Sequence, residues 1–301
     1  MGRDRVLAVV VPLLGAAEAL AAVGAALRSR GGGIPEPELA RRLNAVLDAL
    51  DVRDAIDALE EEEVVSLLGL VESVLAQAAD HVAHPGRIGW TCEEPRILTA
   101  QGDWSAGLSP VLRQIVVPAL GGDLAERLDA PGASFLDVGT GVGALAIAMC
   151  RQWPSLRVVG LDPWEPALSL ARERVAAAGL SDRIDLRSTA GEELDDVAEH
   201  ELAWLPAFFL SDAVLERVVE RVHAALRPGG WAICGLYLRP PDPLAAALAD
   251  LRTVRQGGAP RTPHELAELL GRAGYDDVDV LSDPAWKVPL VFVCGRRGDR
   301  R

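Results

Sequence analysis

Phe135-Leu-Asp-Val-Gly-Thr-Gly-Val-Gly143 is a short apolar run that carries one aspartate and breaks into three glycines spaced two apart. Glycine takes positive φ at little cost, and without a Cβ it lets main-chain N–H groups approach a ligand closely. The stretch therefore predicts a strand, a tight ligand-binding turn and the first turn of a helix.

The glycines alone leave two classes of ligand open, because Gly139, Gly141 and Ala144 also satisfy a looser dinucleotide-binding pattern. Asp137 favours one class, since a carboxylate accepts hydrogen bonds from a cationic amine and repels a pyrophosphate. S-adenosylmethionine (SAM) offers an ammonium group to Asp137 and a carboxylate to the helix N-terminus. On these residues the chain resembles the class I SAM-dependent methyltransferases. The resemblance implies a cofactor turn made of Gly139, Thr140, Gly141 and Gly143.

A second carboxylate follows the next predicted strand. Leu156-Arg-Val-Val-Gly-Leu161 is mostly apolar and leads into Asp162, about 20 residues beyond the glycines, where a ribose-binding acid belongs. Asp162 is therefore expected to accept hydrogen bonds from the two ribose hydroxyls. The resemblance also implies an apolar wall for the adenine made by Pro163 and Trp164, although Trp164 could instead pack at a helix start.

The adenine amino group has a different environment here from the one usual in the family. After the third predicted strand the family carries an acidic residue that contacts this group, and Ala190 occupies that position in this chain. The backbone of Ala190 and Gly191, or the side chain of Glu192, is expected to serve instead.

The second half of the chain alternates strands and helices. The predicted strands lie near 133–138, 156–162, 182–187, 200–205 and 230–237. Tyr275–Leu281 and Trp286–Cys294, joined by Ser282-Asp-Pro284, resemble the closing antiparallel hairpin of methyltransferases, a strand that NAD-binding domains usually lack. Thr262-Pro-His-Glu265 predicts a helix start with a capping box. The resemblance implies an α/β, Rossmann-like seven-stranded methyltransferase sheet over residues 108–301.

Residues 1–107 are expected to form an N-terminal α-helical domain that covers the active site or dimerises. Val6–Leu27 is a long apolar stretch that imitates a signal peptide or membrane anchor, but Pro12 and Glu18 interrupt it. We favour a buried or dimer-forming helix, hence a possible homodimer and no membrane partner. Helices are also predicted near 39–50 and 62–81, and Ser109-Pro110 predicts the N-cap and first turn of another.

The acceptor is expected at the carboxyl ends of the strands, where ligands of open α/β sheets bind. Trp204-Leu-Pro-Ala-Phe-Phe209 follows strand four with an apolar, aromatic wall that fits a small organic acceptor. Trp204 is expected to line the cofactor pocket beside it, although Phe208 could equally be a core residue. The candidate substrate-binding residues are Gln101, Trp104, Pro206, Phe208, Tyr237 and Arg239.

No general base is assigned by the sequence. His200 is predicted at the start of strand four, at the wrong end of the sheet, and His223 late in a helix as a surface or capping residue. Methyl transfer is an in-line displacement that depends mainly on proximity and alignment. The lack of an assigned base therefore remains compatible with catalysis.

Composition excludes several partners. The 301 residues carry a formal net charge of −14 with Lys287 as the only lysine, so nucleic-acid substrates lose the electrostatic term that supplies most of their affinity. Cys92, Cys150, Cys234 and Cys294 have no zinc-type spacing, and no metal site is predicted. The composition and the cytosolic cofactor indicate a bacterial, cytoplasmic protein.

The leading hypothesis is SAM-dependent methyl transfer to a small molecule, with O-methylation preferred. Three alternatives remain open at this point: a SAM-consuming elimination or cyclisation, a SAM-binding protein without catalysis, and an NAD-dependent oxidoreductase. The acceptor itself is not legible in the sequence.

Overall fold

The computed structural model describes residues 2–30, 36–283 and 289–299. The chain forms two compact units, one of Met1–Pro85 with Thr99–Gly107 and the other of Gly86–Leu98 with Leu108–Arg301. The domain border placed at residue 108 from sequence stays a prediction. Pro284 and Trp286, assigned above to the closing hairpin, lie outside the described residues, as does Lys287.

The first unit is helical. Its elements are α1 (Gly2–Ser29), α2 (Pro37–Ala49), α3 (Arg53–Ala58), α4 (Glu61–Ala83) and most of α5 (Pro95–Ala106). Leu27, Leu47 and Ile56 form a small buried cluster of this unit. Gly69 lets α4 and α5 approach closely, because an added Cβ would lie 2.8 Å from the carbonyl oxygen of Ala100. Close packing between helices of this kind stabilises helices that their own propensity would not.

Helix α1 corrects the expectation of a buried helix. It runs unbroken through Pro12, and only Gly24 and Leu27 are buried along it. The consecutive residues Val9, Val10 and Val11 are 59%, 40% and 60% exposed, and successive helical residues point about 100° apart. The first half of α1 is therefore apolar and uncovered on all sides in the single chain.

Both α1 and α4 are long and apolar enough to cross a membrane, judged by length and composition alone. A core helix or a signal sequence passes the same test. For α4 the packing against α5 supplies a reason for its apolar residues. Among residues 2–30, 36–283 and 289–299, nothing packs over the first half of α1.

The second unit is built on a seven-stranded sheet in the order β3-β2-β1-β4-β5-β7-β6. The strands are β1 (Ser134–Val138), β2 (Arg157–Leu161), β3 (Ile184–Arg187), β4 (His200–Leu205), β5 (Leu226–Tyr237), β6 (Tyr275–Leu281) and β7 (Leu290–Arg297). The first five pair in parallel, and β7 pairs antiparallel with both β5 and β6. This confirms the predicted fold class and its closing hairpin.

Helices connect the strands of this unit. They are α6 (Leu108–Val111), α7 (Val117–Leu120), α8 (Leu124–Asp129), α9 (Ala144–Gln152), α10 (Glu165–Ala177), α11 (Asp212–Ala225), α12 (Pro243–Arg255) and α13 (Pro263–Arg272). One sheet face is buried in a core that includes Leu136, Ala203 and Leu205, together with residues of α11 and α13. The opposite face carries Asp137 and Trp204, because neighbouring side chains on a strand alternate between faces.

Two local predictions differ in outcome. The capping box is confirmed, since the backbone N–H of Thr262 donates to Glu265 Oε2 at 2.7 Å and the Glu265 N–H donates to Thr262 Oγ1 at 3.2 Å. The N-cap at Ser109 is wrong: α6 already begins at Leu108, Ser109 is buried, and its hydroxyl has no hydrogen-bond partner among the described residues. A π-helical turn, Leu112–Val116, continues this helix instead.

Candidate functional site

The glycine turn joins β1 to α9, and its three glycines have φ of 69°, 57° and 73° at Gly139, Gly141 and Gly143. The N–H groups of Gly139 and Thr140 both donate to the carbonyl of Leu161, at 2.7 and 2.9 Å. The turn is thereby tied to the carboxyl end of β2. Positive φ explains why glycine is needed at these three positions.

The three glycines have different roles. An added Cβ on Gly143 would lie 3.3 Å from Ala171 Cβ of α10, so this glycine allows helix packing. An added Cβ on Gly141 would meet nothing within 4 Å. Gly141 therefore borders open space at the carboxyl end of the sheet, where a ligand fits. The first turn of α9 adds backbone N–H groups that no helical carbonyl can accept.

Asp137 lies near the carboxyl end of β1, two residues before the turn, and is only 2% exposed. Thr140 Oγ1 donates a hydrogen bond to its Oδ2 at 2.7 Å. Burial is the main cause that raises the pKa of Asp137 to about 7, the Thr140 hydrogen bond opposes it, and the nearby Asp162 charge adds to it. A cationic ligand group beside Asp137 would favour the carboxylate, since opposite charge lowers an acid's pKa.

Asp162 directly follows β2 and is hydrogen-bonded to the glycine turn. Its Oδ2 accepts from the Gly141 N–H and its Oδ1 accepts from the Trp164 N–H, both at 2.8 Å. Burial raises its pKa, and these two backbone hydrogen bonds oppose the rise. Each carboxylate oxygen accepts more than one hydrogen bond, so Asp162 can still bind a diol.

The sequence predicts that main-chain N–H groups of the turn approach a ligand, but most of them donate within the protein. Gly139, Thr140 and Gly141 all donate within the protein, to Leu161 or Asp162. The bonds join residues about 20 positions apart, so spacing alone does not reveal them. The open donors are those of the first turn of α9.

The predicted adenine residues lie after β2 and β3. Trp164 precedes α10, and its indole Nε1 donates to the carbonyl of Cys92 at 2.7 Å. Ala190 precedes the short 3₁₀ turn Gly191–Glu193. An added Cβ on Gly191 would lie 3.0 Å from Val138 Cγ1, and Glu192 lies 3.4 Å from Arg217. Their contacts to adenine stay predictions.

Trp204 is mainly a packing residue in this structure. Its Cα pairs with Asp137 on β1 and Ile233 on β5, and it is 6% exposed. Its ring lies over Gly235, where an added Cβ would come within 2.3 Å of it, and stands edge-on to Phe292 at 6.2 Å between centroids. Trp204 therefore fills the sheet face beside Asp137.

Pro206, which directly follows β4, lies close to the glycine turn. Its Cγ is 3.5 Å from the position that an added Cβ on Gly139 would take. Next to it in sequence comes an aromatic cluster, which we define as Trp90, Phe208, Phe209 and Tyr237. Phe208 stacks on Tyr237 with centroids 4.5 Å apart, and Phe209 contacts Phe208 at 4.9 Å and Trp90 at 5.7 Å. The cluster lies at the carboxyl ends of β4 and β5.

Family comparisons agree with this geometry. A methyltransferase domain family matches residues 135–230. The ubiquinone biosynthesis O-methyltransferase of Dinoroseobacter shibae is 31% identical over 194 residues, which cover 57% of this chain and 71% of that protein. The chain belongs to the class I SAM-dependent methyltransferases. Its cofactor is accordingly SAM, and binding of SAM in the open space beside Gly141 and Asp162 stays a prediction.

Two further relatives extend the comparison. The ubiquinone biosynthesis O-methyltransferase of Ruegeria pomeroyi is 33% identical over 172 residues, which cover 52% of this chain. The chain spans only 65% of that relative's length. The pyocyanin biosynthetic protein PhzM has a TM-score of 0.65 at 19% identity, covering 99% of each chain. At that identity the likeness concerns the fold.

Three residues predicted to bind substrate have other partners in this methyltransferase. Arg239 is exposed and pairs with Asp250 at 2.7 Å. Gln101 and Trp104 belong to the first unit, where Gln101 Oε1 accepts from Ser73 Oγ at 2.8 Å and the Trp104 carbonyl accepts from Ser66 Oγ at 3.4 Å. Substrate contacts by these residues stay predictions.

Sequence reasoning missed Arg252 of α12 and Gln256, the residue directly after this helix, which both contact Tyr237. The Tyr237 hydroxyl donates to Gln256 Oε1 at 2.8 Å, and the Arg252 guanidinium carbon lies 5.0 Å from the Tyr237 ring centroid. Arg252 and Gln256 are four residues apart and so share one helix face. That spacing in the helix after β5 was the available signal.

The histidines supply no base at this site. His200 begins β4, fully buried, with Nε2 2.9 Å from Asp196 Oδ2 and Nδ1 2.8 Å from Ser134 Oγ. Burial is the main cause that lowers its pKa. His223 corrects the expectation of a surface or capping residue: it is half-buried edge-on to Tyr275 at 4.8 Å, and its Nε2 has no partner among the described residues.

A cavity of about 460 Å³ lies at the amino ends of β1, β4 and β5, opposite the carboxyl ends. Its lining residues are Arg127, Ala130, Pro131, Ala133, Ala198, Glu201, Arg227 and Pro228. Because open α/β sheets bind ligands at the carboxyl ends, we assign the site by topology and not by cavity size. Across the described ranges, no cluster of three or more His, Cys, Asp or Glu side chains suits a metal ion.

Proposed function

We propose that this protein transfers the methyl group of SAM to a small organic acceptor, preferentially to oxygen. The arrangement of Asp137, Gly141 and Asp162 carries the proposal, because it places two buried carboxylates at the carboxyl end of the sheet beside a glycine that borders open space. One carboxylate suits the ammonium group of SAM and the other its ribose.

Calorimetric titration with SAM, S-adenosylhomocysteine and NAD tests the cofactor assignment. We expect binding of the first two and none of NAD. Product analysis with an acceptor library then distinguishes methyl transfer, which yields S-adenosylhomocysteine, from elimination or cyclisation, which yields methylthioadenosine. Binding of NAD alone, or methylthioadenosine as the product, would contradict the proposal.

The aromatic cluster supports an organic acceptor. Two of its rings, Trp90 and Phe209, are partly exposed and offer an apolar surface to an organic acceptor, and the buried rings of Phe208 and Tyr237 support them. Tyr237 does not serve as a base at neutral pH, since burial raises its pKa to about 12. Positioning is therefore the main catalytic contribution we propose for these residues.

We also propose that the protein is a cytoplasmic, bacterial homodimer that binds neither nucleic acid nor membrane. The uncovered apolar half of α1 supports the dimer, because a second copy of the same helix would bury residues such as Val9 and Leu13. The net charge of −14 argues against nucleic acid.

Light scattering after size-exclusion chromatography measures the oligomeric state. Val9→Glu with Leu13→Glu is expected to convert a dimer to a monomer, whereas Val82→Glu, at an 84% exposed apolar position at the end of α4, should leave it dimeric. A monomeric wild type that sediments with lipid vesicles would contradict the dimer and favour a membrane contact.

A further inference from the structure

Arg252 lies at the edge of the aromatic cluster, and no anionic partner for it occurs among the described residues. Its guanidinium is half-buried over the Tyr237 ring at 5.0 Å from the centroid. Within the described part of the chain it has no ion pair or hydrogen bond through its side chain. By contrast, Arg239 is paired with Asp250 and Arg217 with Glu192.

The position of Arg252 is set by its neighbours. Gln256, one helical turn later, is buried and accepts from the Tyr237 hydroxyl, which anchors α12 on the end of β5. Stacking over an aromatic face orients a guanidinium while leaving its N–H groups able to donate. The Arg252 guanidinium is therefore a planar group of N–H donors whose position is fixed by the Tyr237 ring.

The location of this guanidinium is relevant to the acceptor. Tyr237 is the last residue of β5 and stacks on Phe208, two residues after Pro206, which lies beside the glycine turn. A continuous row thus leads from the SAM site, through the aromatic cluster, to Arg252. Phe208 and Tyr237 are buried within this row. A planar molecule lying against the partly exposed rings of Trp90 and Phe209 would have an aromatic surface beside it and the Arg252 guanidinium at the edge of the cluster.

We propose that Arg252 binds a carboxylate of the acceptor and that the acceptor is a planar aromatic acid. This inference rests on the proposed function. A guanidinium matches a carboxylate with two parallel hydrogen bonds, which adds orientation to affinity. Orientation is what an in-line displacement needs from the protein.

The transfer step balances without a further reactant. A hydroxyl oxygen of the acceptor attacks the methyl carbon of SAM, so the C–O bond forms as the S–C bond breaks. The sulfur takes the electron pair of the breaking bond and becomes the neutral thioether of S-adenosylhomocysteine. The hydroxyl proton goes to solvent. Arg252 holds the carboxylate and takes no part in these bond changes.

Hydroxylated benzoates and naphthoates, each paired with its primary amide, test the inference. Each compound is titrated into full-length protein saturated with S-adenosylhomocysteine. The acid of at least one pair is expected to bind about 10- to 100-fold more tightly than its amide, the range for charge-assisted hydrogen bonds. In Arg252→Gln the acid should fall to the affinity of the amide, with amide binding unchanged.

Two further variants complete the design. Arg252→Lys keeps the charge but loses the fork, so it should restore part of the preference for the acid. Arg272→Gln, an exposed arginine of α13, should bind all compounds as the wild type does. Melting curves and SAM titrations of every variant check that fold and cofactor site are intact.

Several outcomes would overturn the inference. These are equal affinity for acids and amides in the wild type, a preference that survives in Arg252→Gln, or no binding of any acid while SAM binds. Failure of the wild type to bind SAM is a separate result, which would overturn the proposed function and this inference with it.

Discussion

The two halves of the site use their polar groups in opposite ways. At the carboxyl ends of β1 and β2, Asp137 and Asp162 are buried and hydrogen-bonded to the turn that they border. At the carboxyl ends of β4 and β5 the wall is aromatic, and Arg252 beside it lacks a counter-ion among the described residues. A pre-ordered polar half suits one constant cofactor, whereas an apolar half with one cation suits recognition of a particular acceptor.

Trp204→Ala should have the largest effect on the protein, and it tests whether Trp204 packs on the sheet or contacts the acceptor. Because the Trp204 ring fills the space over Gly235, we expect the free energy of unfolding to fall by about 3–5 kcal/mol. Chemical denaturation measures this value, and Trp204→Phe should recover part of it. A fold of unchanged stability with reduced turnover would instead place Trp204 in the acceptor wall.

Asp162→Ala should weaken SAM binding by about 1.5–3 kcal/mol, the scale of lost hydrogen bonds to a charged acceptor. It also leaves the N–H groups of Gly141 and Trp164 without their partner, so the turn itself should loosen. Titration calorimetry gives the affinity, and Asp185→Ala, a carboxylate paired with Arg187 on β3, is the matched control. Unchanged SAM affinity in Asp162→Ala would refute its ribose role.

The pH dependence of SAM binding is expected to show the smallest effect, and it tests whether Asp137 pairs with the ammonium group. Its folded pKa of about 7 lies above that of an unfolded aspartate, so its contribution to apo-protein stability is lost as pH rises from about 4 to 7. SAM affinity has the opposite sign, because the ammonium group requires the carboxylate. It should fall about tenfold for each pH unit below 7.

Calorimetry between pH 5.5 and 8 measures this slope. Asp137→Asn should bind SAM weakly at every pH and show no such slope in this range. A flat wild-type profile would mean that Asp137 does not pair with the ammonium group. The buried carboxylates at the ends of β1 and β2 would then not differ from the aromatic half of the site by binding a cationic ligand group.

The spacing of residues along the chain predicted much of the structure around Asp137 and Asp162. The strand, the glycine turn and Asp162 follow from spacing, since positive φ, strand ends and helix starts are properties of a few consecutive residues. The five parallel strands and the capping box at Thr262 were found in the same way. The N-cap predicted at Ser109 was wrong because an N-cap must precede the first helical residue, and the helix already begins at Leu108.

Side-chain direction was the main thing that pattern did not reveal. Spacing identified Trp204 and Tyr237 as residues at strand ends but could not tell which neighbours they contact. Trp204 packs on Gly235 and Tyr237 binds Gln256, partners 31 and 19 residues away. Nor did it show that α1 would remain uncovered along its first half.

Residues close together along the chain thus indicated the fold class, the glycine turn and the positions of the strands along the chain, because local backbone geometry and hydrophobic period depend on consecutive residues. Folding alone settled that the Gly141 N–H donates to Asp162, that Trp204 fills a sheet face and that Arg252 reaches the aromatic cluster. Each of these depends on contacts between distant segments, which form only when the sheet and its helices pack.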